Sequence, residues 1–361
     1  MKEQKKFVAK ETPKAELFRL PNDSQFQMNA EETMNPKVIF FSSIFLICGL
    51  WLSLPVRAQE PSTSAGQAKN PIGQELAGVK VLRDLEYARA GEKSLLLDLY
   101  LPEKAQRPLP LIIWIHGGAW MAGQKADCHA RLMLPRAYAV ASLNYRLSQE
   151  AIFPAQIEDC KAAVRWLRTH AKQYGLDADH FAAWGDSAGG HLSALLGTTG
   201  DTKEFDKGDN LDISSRVQAV CDYYGPTDFL QMDDHLPARI ARNHDMPDSP
   251  ESRLIGGPIQ EKKEKTARAN PITYITPAAA PFLIVHGDND GSVPFNQSEL
   301  LFDALKKAGV SVHLHVMKGA GHGPPFGQPE VIDMITKFFD HYLKGIDNDV
   351  KPGAMITYSD D

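Results

Sequence analysis

The run Trp184, Gly185, Asp186, Ser187, Ala188, Gly189, Gly190 and His191 constrains this chain more than any other stretch. The segment before it, His180 to Trp184, reads as a strand, and the small-residue segment after it, Ala188 to Leu196, reads as a helix. Passing from strand to helix at Ser187 demands a sharp, strained turn that lifts the serine hydroxyl clear of a sheet edge. Gly185 and Gly189 carry no Cβ, so neighbouring backbone can pass close to that turn. The bare Gly-x-Ser-x-Gly pattern also arises by chance, so its meaning depends on the rest of the chain.

The rest of the chain supplies a sheet for the turn to sit on. Val79 to Ala88 and Ser94 to Leu101 alternate apolar and polar residues around Gly91, which predicts an edge hairpin. Leu109 to Ile115 and Tyr138 to Asn144 are apolar runs, as in strands buried on both faces of a parallel sheet. Further strands are predicted at Arg216–Tyr224, Ala280–Val285 and Val310–Met317. Helices are predicted at Pro154–Tyr174, Asn296–Ala308 and Pro329–Leu343. This alternation predicts an α/β fold: a mostly parallel central sheet with helices on both faces. Residues Phe229 to Thr276 interrupt it, an insertion before the Asp-bearing strand that reads equally as a lid or as a surface excursion.

The chain has 361 residues, of which 43% are hydrophobic, enough for a full core. Its formal net charge is −6 and it has no long basic run, which argues against nucleic acid as a partner. The apolar run Val38 to Leu54, preceded by Met34 to Lys37 and followed by Ala58, reads as a secretory signal peptide that starts at Met34. The alternative is a retained anchor across residues 38–54, the only route here to a membrane. The expected organisation is an extension and signal at 1–58, a linker at 59–78, a catalytic domain at 79–345 and a disordered tail at 346–361.

A serine hydroxyl is a poor nucleophile at neutral pH and needs a base. Of the 12 histidines, His322 stands out, because it lies in the glycine-rich loop Lys318 to Pro325 after the last predicted strand. Such a base needs a carboxylate to fix its tautomer. Asp288 and Asp290 both follow a predicted strand; we take Asp290, which precedes Val293 and Pro294, and assign Asp288 to capping the turn. The order Ser187, Asp290, His322 is one of the known orders for this trio. An oxyanion would need backbone donors: Ala188 after the nucleophile, and Gly118 and Ala119, with Gly117 close behind, after the Leu109–Ile115 strand. A Gly-Gly pair is also a common turn and an Asp pair a common Asx turn.

Together, His116 to Trp120, Gly185 to His191, His286 to Pro294 and Gly319 to His322 resemble the α/β-hydrolase esterases of the acetyl/feruloyl-esterase-like and hormone-sensitive-lipase-like groups. Asn144 to Ser148, Phe153 to Gln156 and the helix Asp159 to Leu167 are similar too, so the resemblance spans about Val79 to Leu343. It implies a serine carboxylesterase with no metal and no organic cofactor, acting on a small-molecule or polysaccharide-linked ester. Ala119 stands where the lipase-like pattern has a third glycine, which favours the acetyl/feruloyl branch. Two alternatives stay open: a serine peptidase of the prolyl-oligopeptidase type, and a non-catalytic binding protein on the same fold.

Other residues receive plainer readings. His191 is assigned to packing, Asp186 to shaping the turn, and Tyr145 and Arg146 to holding the oxyanion loop. Trp120 reads equally as pocket wall or core. In an oxidising compartment Cys128 and Cys160 are expected to pair, at a gain of about 3 kcal/mol, leaving Cys221 buried and free; the alternative is that both are reduced, small core residues.

Overall fold

The computed structural model describes residues 77–236, 240–241, 243–323, 328–348 and 355–358, all within the compact unit Gln67–Asp361. The signal-peptide and anchor readings, and the linker up to residue 76, lie outside the described residues.

Among the described residues nine strands form one sheet: β1 (Val79–Ala90), β2 (Lys93–Pro102), β3 (Leu109–Ile115), β4 (Ala139–Leu143), β5 (Leu176–Asp186), β6 (Ala219–Tyr223), β7 (Phe282–Gly287), β8 (Val312–Met317) and β9 (Met355–Tyr358). Their order is β1-β2-β4-β3-β5-β6-β7-β8-β9. The β1–β2 hairpin is antiparallel and joins β4 antiparallel; every other pairing is parallel. The helices are α1 (Ala155–Thr169), α2 (Ala171–Tyr174), α3 (Ala188–Thr198), α4 (Met232–His235), α5 (Pro250–Ile255), α6 (Lys263–Ala269), α7 (Asn296–Lys307) and α8 (Pro329–Lys344). The single helix predicted over Pro154–Tyr174 breaks at His170, and Gly175, with φ of 68°, ends it.

Successive side chains of a strand point to opposite faces, and β3 shows the consequence. Leu111, Ile113 and Ile115 face one core with Ile157 and Val164 of α1, Leu192 of α3 and Leu301 of α7. Ile112 and Trp114 face the other with Val331, Ile335 and Phe338 of α8. All five of these β3 side chains are fully buried, each contributing on the order of 2 kcal/mol. That locks the register of β3, whose Ile115 sits beside Gly185 of β5 and Leu143 of β4. Because the central strands run parallel, the loops after β3, β5, β6, β7 and β8 all emerge at one edge of the sheet, where ligand sites form in open α/β sheets.

Two expectations are corrected. Met355–Tyr358, within the tail expected to be disordered, pair in parallel with Leu314–Met317 and close the far edge of the sheet. The Cys128–Cys160 bridge is not formed: both thiols are free, and they belong to cores on opposite faces of the sheet. Burial pushes the Cys128 thiol up to about 12, and Cys160 well above its ordinary value. Cys221 is buried in β6 and free.

Candidate active site

Ser187 joins β5 to α3 with φ of 51° and ψ of −118°, a strained conformation for a residue with a Cβ. Its N–H donates to Tyr223 O at 2.8 Å, so β6 holds the turn. The two glycines beside it are sterically required. A Cβ on Gly189 would lie 2.0 Å from Ile115 O, and one on Gly185 would lie 2.3 Å from Gly189 O. Helix α3 therefore rests directly on backbone at the C-terminal end of β3.

Ser187 Oγ lies 3.1 Å from Nε2 of His322, and Nδ1 of His322 lies 2.7 Å from Oδ2 of Asp290. An ionised carboxylate only accepts, so Nδ1–H donates to Asp290 and Nε2 is left to accept from the serine hydroxyl. Asp290 Oδ1 accepts from the N–H of Ser292 at 2.7 Å and of Val293 at 3.0 Å. Burial alone would raise the Asp290 carboxyl, but hydrogen bonds to His286 and His322, and their charges, outweigh it and hold it well below the usual carboxylate range. Asp288 is elsewhere: its Oδ1 accepts from Gly319 N–H at 2.6 Å and ties the two loops together.

Sequence reading missed two neighbours of this line. His286, fully buried, sets Nδ1 2.7 Å from Ser298 Oγ and Nε2 3.2 Å from Asp290 Oδ2 and 3.0 Å from Val293 O. The Tyr224 ring packs edge-on against His322 at 4.6 Å between centroids. The signal for His286 was its place at the start of the His-Gly-Asp stretch; nothing local marked Tyr224.

After β3 the chain turns through positive φ at Gly118 (101°), Ala119 (53°) and Trp120 (57°). Gly118, Ala119 and Ala188 line one cavity with Ser187 and His322. Gly117 does not fit the oxyanion role expected of it: its one N–H donates to Asp186 Oδ1 at 2.9 Å. That bond only partly offsets burial, which raises the Asp186 carboxyl to about 6. Tyr145 O–H donates to His116 O at 3.0 Å and its ring stacks on His116, while Arg146 clamps Asp159 of α1.

The cavity holds about 580 Å³. The insertion contributes Asn243, His244, Pro250 and Glu251 among others to its lining, so it shapes the site rather than only covering the surface. Trp120 is buried, lines the cavity and donates from Nε1 to His191 Nδ1 at 3.3 Å. His191 Nε2 lies 2.7 Å from Ala269 O, so Nε2–H is the donor, and burial lowers this imidazole to about 4. A neutral His191 thus links the loop after β3, the helix of the serine and the end of α6.

The nine-stranded sheet and the serine turn at its edge define an α/β-hydrolase. The chain belongs to the BD-FAE family, which it matches over residues 97–305. It is similar to the probable carboxylic ester hydrolase LipM of Mycobacterium tuberculosis, at 34% identity over 55% of this chain and 45% of that one. The chain spans about half the length of the curated relatives it matches. Among solved structures it resembles a truncated form of a carbohydrate esterase from gut microbiota, at 32% identity and a TM-score of 0.67, over 73% of this chain and 96% of that one. It also resembles the bifunctional GH43-CE protein of Bacteroides eggerthii, at 33% identity and a TM-score of 0.66, over 73% and 35%.

Proposed function

We propose that this protein hydrolyses carboxylic esters through an acyl-enzyme, with Ser187 as nucleophile, His322 as general base and acid, and Asp290 orienting the imidazole. The observation that carries the reading is the line Ser187 Oγ to His322 Nε2 at 3.1 Å and His322 Nδ1 to Asp290 Oδ2 at 2.7 Å, which opens into the cavity.

In the first half-reaction Ser187 Oγ attacks the ester carbonyl carbon as its proton passes to His322 Nε2. The carbonyl oxygen becomes an oxyanion, received by the N–H groups of Ala188 and of Gly118 or Ala119. Collapse breaks the bond to the alcohol oxygen, which takes the proton from His322 and departs. In the second, water gives a proton to His322 and attacks the acyl carbon. The Ser187 oxygen then leaves with that proton, releasing the acid. Asp290, kept ionised, stabilises the imidazolium formed in each half.

The substrates proposed are short acyl esters, acetyl or feruloyl-type, borne on carbohydrate. Support comes from the names of the similar structures, which include a carbohydrate esterase. The test is a panel of 4-nitrophenyl esters of increasing acyl length, O-acetylated xylo-oligosaccharides and a proline-peptide amide. The reading expects acetyl esters to be cleaved and the amide spared; cleavage of the amide alone would overturn it. We further propose export, supported by the apolar run Val38–Leu54 and the small residue Ala58. N-terminal sequencing of protein made in its native host should begin at Gln59, and a start at Met1 would contradict export.

A further inference from the structure

The line from Ser187 through His322 does not end at the carboxylate of Asp290. Oδ1 of Asp290 takes the N–H groups of Ser292 and Val293. Oδ2 takes Nδ1–H of His322 at 2.7 Å and also lies 3.2 Å from Nε2 of His286. Two histidines therefore meet on one oxygen. His286 is a fully buried imidazole in β7, and the ester chemistry set out above gives it no task.

The partners of His286 decide which of its nitrogens carries the hydrogen. Nε2 faces Asp290 Oδ2 and, at 3.0 Å, Val293 O. An ionised carboxylate and a backbone carbonyl can only accept, so Nε2 holds the hydrogen and shares it between them. Nδ1 lies 2.7 Å from the Oγ of Ser298, a buried hydroxyl in the first turn of α7 that donates to it. That bond fixes the tautomer. The rings of Phe295 and Tyr224 pack against the imidazole, with centroids at 5.6 Å and 6.2 Å. Ser298 and His286 thus repeat, from the buried side, the order in which Ser187 and His322 reach Asp290, with the two ring nitrogens exchanged.

A donor on one side of a carboxylate oxygen weakens its pull on a proton held on the other. Burial raises the Asp290 carboxyl, and the hydrogen bond from His286 is the foremost of the effects that outweigh it, ahead of that from His322. Without His286 the carboxylate would be more basic and would hold the imidazolium of His322 more tightly. We infer that His286 is a positioning residue for the ester chemistry: its Nε2–H aims Oδ2 of Asp290 at His322 and limits how firmly that oxygen holds the imidazolium. This rests on the ester-hydrolase reading and adds to it a fourth side chain that acts through Asp290. Other ionisable groups also stand near the line. The charge of Asp186 acts on His322, and Asp288 ties the His322 loop at Gly319. Tyr224 packs on His322, and burial and the charges of Asp186 and Asp290 push its phenol well above its ordinary value. His244 and Glu251 line the same cavity as His322. All of them stay in place when only residue 286 is changed.

The experiment follows kcat/KM for 4-nitrophenyl acetate against pH in the full-length wild type, His286→Gln and His286→Asn. The two amides differ in reach. The NH2 of Gln stands about where Nε2 does and can still donate to Asp290, whereas Asn is one methylene shorter and reaches only the Ser298 side. In His286→Asn the pH at half-maximal kcat/KM should rise by about half a unit or more, so that rates below it fall about threefold or more. His286→Gln should keep the wild-type midpoint. A purely structural role would lower the urea midpoint of His286→Asn and leave its pH profile in place; that result overturns the inference, as does an equal shift in both variants. Nitrogen-15 NMR of the wild type at neutral pH tests the same bond without any substitution. It should show His286 protonated at Nε2 and bare at Nδ1, and the opposite tautomer overturns the inference. A wild type that cleaves no ester sinks the ester-hydrolase reading and this inference with it; a wild type that cleaves 4-nitrophenyl acetate while His286→Asn keeps its pH midpoint sinks this inference alone.

Discussion

Oδ2 of Asp290 sits 2.7 Å from Nδ1 of His322, while Asp288, two residues earlier, spends its carboxylate on Gly319. Near-identical neighbours in sequence thus meet different partners. Asp290→Asn should lower kcat for acetyl esters by about 10⁴, because the amide can no longer hold the imidazole in the tautomer that accepts from Ser187. Asp288→Asn should stay within about threefold of wild type, since one loop-to-loop contact at an exposed position, with Gly319 N–H, is all it disturbs. Steady-state kinetics on both variants checks this, and equal losses would assign the carboxylate wrongly.

Helix α3 has no room for even one methyl group where it meets β3. In Gly189→Ala the new Cβ would lie 2.0 Å from Ile115 O and 2.7 Å from His116 O, both backbone atoms that cannot step aside alone. The expected outcome is a loss of stability on the order of 3 kcal/mol, with activity lost as the serine turn shifts. Urea unfolding measures the first; a variant as stable as wild type would mean the helix can lift freely.

Asp222 of β6 gives the fold a pH dependence of its own. It is 1% exposed, accepts from Gly225 N–H at 2.9 Å, and burial raises its carboxyl from the ordinary 3.8 to about 7. Between those values the folded protein keeps a proton that the unfolded chain has lost. Its contribution to stability is therefore complete below pH 3.8 and fades as pH rises to about 7, a change on the order of 4 kcal/mol. Asp222→Asn stays neutral throughout, so its urea midpoint should gain on that of wild type as pH is raised from about 4 to 7. Parallel curves would show that Asp222 does not ionise in this range.

Much of this architecture was legible in the sequence because its signals are local. The run Leu109–Ile115 is apolar at every strand position but Pro110, and it forms β3 with those bounds. The serine turn, the glycine-rich loop of His322 and the Asp288–Asp290 pair stand out by residue type and order, and the structure brings Ser187, Asp290 and His322 into one hydrogen-bonded line. What stayed hidden depends on contacts between distant segments. The N–H of Gly117 is taken by Asp186, 69 residues away. Cys128 and Cys160 lie on opposite sides of a sheet whose strand order no local pattern encodes. His244 and Glu251 belong to an insertion of short helices with little periodicity, so only folding shows that they line the same cavity as Ser187.

The most direct test of the central claim is the turnover of 4-nitrophenyl acetate by Ser187→Ala beside wild type, with circular dichroism and urea midpoints matched to show that the fold is intact. The Ser187–His322–Asp290 account predicts that kcat falls by about 10⁴ to 10⁶, leaving only what the oxyanion donors and binding supply. A folded Ser187→Ala protein that retains kcat within about tenfold of wild type would contradict it.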